Sequence, residues 1–257
     1  MPSTSKRVEY KYLVPNALLP RLRSMIAPFV VADTHNRGSR GYTVRSIYFD
    51  TPSLRCYHEK QAGLRVRTKI RVRGYNERRE SNIVFLETKQ KCGAPIVKNR
   101  APVTYEHVGE MFASGDVERY VLPCGDHIGA VKNARRFLFH VFGDSLRPAI
   151  LVIYEREAYQ SRFDDLRITL DKNVRSSIRF ATDALFEEDD TACPIAGHFI
   201  LELKFVCGLP AWVKFALGRL GLSRQALSKY GLCTDQHVSS NGSRRRSVLA
   251  LSHVWHT

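Results

Sequence analysis

The sequence predicts an α+β fold: a closed antiparallel β-barrel that turns a charged face into its own lumen, with helices flanking it. Three observations predict it. Several strand-like runs alternate apolar and charged residues with a period of two, so each presents one apolar and one charged face. On the charged faces Arg dominates and Glu recurs at near-regular spacing, whereas a solvated sheet carries Thr, Ser, Gln and both charge signs more loosely placed. Helical stretches between the runs supply cover for the apolar outside. A flat sheet with its charged face in water is the other geometry the pattern allows.

The elements follow in order. Residues 7–12 alternate as a strand, and Pro15 opens a helical stretch in which Leu18, Leu19, Leu22, Met25 and Ile26 recur at helix spacing until Pro28. Residues 31–40 read as a loop. Strand runs cover 42–50, 64–75 and 83–89, with a turn at Asp50-Thr-Pro. Residues 104–143 read as helical, with Ile128, Val131, Phe137 and Val141 on roughly one face. Strands follow at 149–159 and 166–170, joined by a hairpin turn at Asp164-Asp165, and the last strand covers 199–206. Helices close the ordered part, one with Trp212, Phe215 and Leu220, the other over 223–229. Trp212 and Phe215 are expected in the core. One domain is expected over residues 1–234. Residues 235–257, rich in Ser, Gly, Asn and Arg and holding Arg244-Arg245-Arg246, are expected to be a disordered basic tail.

Composition narrows the class. Apolar residues form 44% of the 257, enough for a sizeable core. Lys plus Arg is 40 against 25 for Asp plus Glu, a net charge of +15 that implies a polyanionic partner. No apolar run approaches the ~18 to 20 residues of a membrane span, and residues 1–6 lack a signal-peptide core. Cys56, Cys92, Cys124, Cys193, Cys207 and Cys233 form no CxxC pair, so zinc ribbons and disulfide scaffolds are not expected. They read as reduced, mostly packing thiols in a cytoplasmic protein, with Cys207 and Cys233 buried. His58, His107 and His198 read as surface or packing residues.

The charges carry the functional reading. Arg65, Arg67, Lys69, Arg71 and Arg73 share one strand face, opposite Leu64, Val66, Ile70 and Val72. Glu-x-Lys recurs as Glu9/Lys11, Glu87/Lys89 and Glu202/Lys204. Arg167, Thr169 and Asp171 share a face, as do Tyr154 and Arg156. A lumen of this kind suits a polyphosphate group, because Arg offers planar bidentate donors and Lys a point charge. Carboxylates among the cations either hold a divalent metal that bridges phosphates or pair with neighbouring Arg and Lys. No P-loop and no Ser/His/Asp or HExxH signature is present.

Several stretches occur together in a recognisable order: Arg7-Val-Glu-Tyr-Lys-Tyr12, Ser46-Ile-Tyr-Phe-Asp-Thr51, Lys69-Ile-Arg-Val-Arg-Gly-Tyr75, Leu86-Glu-Thr-Lys89, Val97-Lys-Asn-Arg100, Tyr154-Glu-Arg156, Arg167-Ile-Thr-Leu-Asp171, Leu201-Glu-Leu-Lys204 and Ser228-Lys-Tyr230. With them the chain resembles the vacuolar transporter chaperone (VTC) domain, the polyphosphate polymerase branch of the triphosphate tunnel metalloenzymes. The resemblance implies an eight-stranded barrel forming a tunnel, a nucleoside triphosphate in it, and a divalent metal, Mn2+ or Mg2+.

Carried over by motif, Lys11, Arg71, Arg73, Arg156, Arg167 and Lys229 would be catalytic phosphate clamps. Lys89, Lys98, Arg65, Arg67, Arg100 and Lys204 would bind substrate phosphates. Glu202, with Glu9 or Asp171, would hold the metal. Hydrolytic relatives typically begin with Glu-x-Glu-x-Lys; here the stretch is Arg7-x-Glu9-x-Lys11, which favours the polymerase branch. The implied activity is transfer of the γ-phosphoryl of ATP to inorganic polyphosphate. A metal-dependent tripolyphosphatase or nucleoside triphosphatase is the enzymatic alternative, and a non-catalytic binder of polyphosphate or RNA the non-enzymatic one. A nucleic-acid partner is not expected, because the Arg-rich strand has no interleaved aromatics. Product delivery across a membrane would need a separate membrane protein.

Overall fold

The computed structural model describes residues 7–34, 36, 41–93, 96–123, 125–179 and 181–240. In chain order they form β1 (Val8–Pro15), α1 (Leu19–Ile26), β2 (Val30–Ala32), β3 (Tyr42–Asp50), α2 (Arg55–Gln61), β4 (Val66–Tyr75), β5 (Ile83–Cys92) and β6 (Ile96–Thr104). Then come α3 (Val108–Ser114), α4 (Val117–Tyr120), α5 (His127–Gly143), β7 (Arg147–Ser161), β8 (Arg167–Ile178), β9 (His198–Phe205), α6 (Ala211–Arg219) and α7 (Lys229–Ser240).

One antiparallel sheet runs β1-β9-β8-β7-β3-β4-β5-β6, with β2 attached to β7. Its period-two alternation sets what each face carries. The outer face of β3 to β6 packs Ile47, Ile70, Val72, Val84, Leu86 and Val103 against Met111, Ala134, Phe137 and Val141 of α3 and α5. The outer face of β1, β8 and β9 packs Val14, Ile168, Leu170, Leu201 and Leu203 against Leu22, Ile26, Val213 and Leu217 of α1 and α6.

The sheet curls until β1, at one end, and β4, two strands short of the other, reach the same segment. Lys11 on β1 donates to the Leu227 carbonyl at 3.3 Å, and Lys69 on β4 donates to the Ser228 hydroxyl at 2.9 Å. The Gln225 N–H also donates to the Lys11 carbonyl at 2.9 Å. The expected closed barrel is corrected here: among the described residues no hydrogen-bonded pairing joins β1 to β6. Lys11 lies on one inner rim and Lys89 and Lys98 on the other, and like charges brought together oppose strand pairing. Residues 222–228 are irregular rather than the expected helix, and they lie along the β1 edge.

Sequence patterning misplaces several side chains. β4 begins at Val66, so Arg65 precedes the strand and is exposed, and Val66 is 65% exposed. Ile128 and Phe215 point to solvent, although Trp212 does stack on Phe29 at 4.5 Å. Cys207 is exposed while Cys56 and Cys233 are buried. α2 has no counterpart among the elements the sequence pattern predicts. Its start is fixed by Asp50, whose carboxylate accepts the N–H groups of Thr51, Cys56 and Tyr57. The tail expected from residue 235 is helical to Ser240, and Arg244-Arg245-Arg246 lies outside the described residues. Gly41 enters β3 at φ +92°, where a Cβ would stand 2.2 Å from the Arg156 carbonyl oxygen; only glycine allows that approach. Among the described residues no helix is long and apolar enough to cross a membrane.

Candidate phosphate-binding site on the concave face

The concave face divides into an apolar and a charged part. Val44, Tyr48, Ile150, Val152, Tyr154, Val174 and Ile200 form a third core with Tyr230 and Cys233 of α7, which fills that side. The sequence reading of a wholly charged lumen is corrected by this plug. The charged part splits again.

On β1, β7, β8 and β9, carboxylates and cations interlock. Arg156 grips Asp171 through Nε and NH2 at 2.6 and 2.7 Å, and Lys229 also pairs with Asp171. Glu202 meets Lys229 at 2.7 Å, Lys204 at 3.4 Å, Lys11 at 3.5 Å and Arg156 at 3.6 Å. Lys11 pairs with Glu9 at 2.9 Å. Burial pushes the Glu202 carboxyl up, but Lys229, Lys11, Lys204 and Arg156 outweigh it and hold it well below the usual range. Burial likewise raises Glu9, and Lys11 and Lys204 win, bringing it to about 2.

On β4 and β5 the balance is cationic. Glu87 pairs with Arg71 at 2.6 Å and lies 3.6 Å from both Arg73 and Arg100. Arg71 also donates to the Tyr48 hydroxyl at 2.7 Å. Beyond Glu87 come Lys69, with Lys89 directly opposite, and Arg67, opposite Lys91. Burial lowers the Lys69 amine, and the nearby Lys11, Lys89, Arg71 and Arg67 drive it down to about 7. Burial and the cations Lys11, Lys98 and Lys204, partly opposed by Glu9, bring Lys89 to about 8. These lysines carry positive charge that the protein itself leaves uncompensated.

The sequence-derived residues fall into three groups. Lys11, Arg71, Arg73, Lys89, Arg156, Lys204, Lys229, Glu9, Glu202 and Asp171 share the concave face within this charged part. Arg67, Lys98, Arg100 and Arg167 lie at its margins. Arg67 turns to the Leu64 carbonyl, Arg100 lies over the Phe85 ring, and Arg167 pairs with Asp33 at 2.9 Å. Arg65 stands apart. Buried without a hydrogen-bond partner are Arg167 Nε and, beside Glu202 in register, Thr169 Oγ1. Lys69, Glu87, Ser228, Tyr48 and Thr169 were not among the expected site residues. The odd-numbered face of β4 carried Lys69, and the Glu-x-Lys pattern carried Glu87.

The donor set can be tested against a divalent metal. Among the described residues no cluster of three or more His, Cys, Asp or Glu side chains stands ready to hold an ion. Asp171 has both oxygens taken by Arg156 and Lys229. Glu202 gives its Oε1 to Lys229, but its Oε2 has cations only at 3.4 and 3.6 Å, and Glu9 has one oxygen on Lys11; the Glu202 charge also acts on Glu9. Two carboxylates fit a cation that arrives with phosphate oxygens completing its shell, not an all-protein cage.

The VTC domain family model matches residues 6–237. This chain belongs to the VTC domain family. Searches of curated proteins returned no match. Among solved structures, similarity extends to a candidate adenylate cyclase from Bacillus halodurans, with 14% identity, coverage of 87% of this chain and 94% of that one, and a TM-score of 0.46. It extends also to a candidate adenylyl cyclase from Hippeastrum, described as having a dominant triphosphatase activity, with 14% identity, coverage of 90% and 96%, and a TM-score of 0.47.

Proposed function

We propose that this VTC-family chain is a polyphosphate polymerase that transfers the γ-phosphoryl of ATP to the end of a polyphosphate chain on the concave face. The observation that carries the reading is the uncompensated cationic run of Lys69, Lys89 and Arg67 beside the Arg71–Arg73 pair. A site whose amines are pushed toward neutrality by burial and then by one another is completed by a polyanion. A row of strand residues spaced ~6.5 to 7 Å apart suits a linear chain of phosphates better than a single ion.

In this reading Arg71, Arg73 and Arg156 clamp triphosphate oxygens, and the orphaned Arg167 Nε and Thr169 hydroxyl find acceptors there. Lys69 and Lys89 hold the acceptor chain in line. Its terminal oxygen is already ionised, so no strong general base is required. Catalysis is then positioning plus stabilisation of charge on the transferred group. Glu202 and Glu9 would hold a divalent cation, Mn2+ or Mg2+, which would neutralise phosphate charge. Asp171 acts as counter-ion to Arg156 and Lys229 rather than as a metal ligand. If water replaces the chain end as acceptor, the same site hydrolyses its triphosphate, the second activity open to this geometry.

The test incubates purified protein with ATP and Mn2+, with and without a short polyphosphate primer, and resolves products by chain length on a gel. Long chains that disappear in Glu202→Ala support the polymerase. Orthophosphate alone, from ATP or tripolyphosphate, moves the chain to the hydrolytic reading. Metal-independent binding without turnover makes it a polyphosphate binder.

A further inference from the structure

α7 does more than fill the apolar part of the concave face. Its first residue, Lys229, enters the space between Glu202 and Asp171, and its second, Tyr230, reaches elsewhere. The Tyr230 hydroxyl donates to Oδ2 of Asp50 at the end of β3, and both residues are buried. Asp50 is a fixed anchor. Its carboxylate also accepts from the N–H groups of Thr51 at 2.7 Å, Cys56 at 2.8 Å and Tyr57 at 3.0 Å. The Tyr230 ring stacks on Tyr48 with centroids 5.0 Å apart, and Tyr48 takes the Arg71 hydrogen bond. Further along α7, Asp235 accepts from Tyr57 and, at 3.0 Å, from Gln61 of α2.

We propose that Tyr230 and Asp50 form a latch of positioning residues that holds Lys229 between Glu202 and Asp171. A lysine stem is long and flexible, and ordering it costs rotamer entropy. Locking the next residue to a rigid turn sets where that stem starts. The amine then offsets the charge of Asp171 and of one Glu202 oxygen, Oε1, which would otherwise repel an incoming polyphosphate. The kinetic consequence rests on the phosphoryl-transfer reading of this site; the latch itself does not.

Tyr230→Phe removes the hydroxyl and keeps the ring and its stack on Tyr48. Asp50→Asn provides a second variant that keeps the shape of the anchor. Lysine reactivity is read first, by reductive methylation with formaldehyde and a borane, mapped by peptide mass spectrometry. Lys229 should label at least tenfold faster in both variants, while Lys172, ion-paired with Glu157 away from the site, labels at the wild-type rate. Steady-state kinetics are read second. The kcat for chain extension should fall about tenfold, with KM for ATP within threefold of wild type, a split that general loosening of the fold would not give. Unchanged Lys229 labelling in both variants overturns the latch, whether or not the protein makes polyphosphate. Faster labelling with unchanged kcat in an active enzyme overturns its role in positioning. Faster labelling in a protein that shows no turnover as wild type keeps the latch and overturns the phosphoryl-transfer reading instead.

Discussion

Glu87→Gln isolates the one carboxylate on the cationic side of the site. Burial raises the Glu87 carboxyl, but Arg71, Arg73 and Arg100 outweigh it and hold it at about 2, against an ordinary 4.5. At ~1.4 kcal/mol for each tenfold change, that difference is worth roughly 3 kcal/mol of folding stability. A carboxylate depressed by folding contributes fully above its unfolded pKa and loses the contribution as pH falls through the folded one. The loss in Glu87→Gln is therefore complete at pH 7, shrinks below about pH 4.5 and vanishes toward about pH 2. For a chain of this size, ~1 kcal/mol moves the thermal midpoint by about 2 to 4 °C, so the variant should melt about 6 to 12 °C lower at neutral pH. Urea and thermal unfolding of both proteins, from neutral pH down into the acid range at low salt, read this directly. Added tripolyphosphate should stabilise the variant more than the wild type, because Arg71 and Arg73 are freed to meet it. A neutral-pH gap below about 2 °C, or a gap that stays constant on acidification, would refute the account of Glu87 as the counter-ion of this cluster.

Four further expectations follow from the same site. Lys69→Met should raise the midpoint of the ligand-free protein by several degrees near neutral pH, since an amine held at about 7 binds fewer protons folded than unfolded. Calorimetry in buffers of different ionisation heat should show tripolyphosphate binding taking up protons at about pH 7 to 8, with the uptake reduced in Lys69→Met. Arg73→Ala should cost roughly 2 to 4 kcal/mol in the transition state, read as a fall of about 30-fold to 10³-fold in kcat/KM; turnover within a few-fold of wild type would remove Arg73 from the clamp. EDTA should abolish turnover while leaving tripolyphosphate binding to the lysine and arginine run in place, and binding lost in parallel with turnover would show that the metal carries the phosphate.

Strand character and facing were legible because they are local. Arg67, Lys69, Arg71 and Arg73 land on one face for the same reason that Ile70 and Val72 land on the other: successive side chains alternate. The Glu-x-Lys pairs on β1, β5 and β9 are read the same way, and each does reach the concave face. What failed locally failed at ends and at mixed surfaces. Val66 and Ile128 look like core residues in a pattern, yet no neighbouring element arrives to cover them. The stretch around Ile150, Val152 and Tyr154 is apolar on both faces, so alternation says nothing about which residues face α7 and which face α5.

The sequence by itself determined the alternation, the excess of cations and the family, because these reside in neighbours along the chain. Tertiary structure decided which charges neutralise which. Glu202 is claimed by Lys229 and Lys11, Asp171 by Arg156 and Lys229, and Arg45, fully buried on the outer face, by Glu77 and Glu188. Lys69 and Lys89 are left with one another and without a full carboxylate partner. It also decided that, among the described residues, β1 and β6 do not pair with each other and that α7 packs into the apolar part of the concave face. Electrostatic energy falls with distance and grows with burial, so it depends on coordinates that no spacing in the chain encodes.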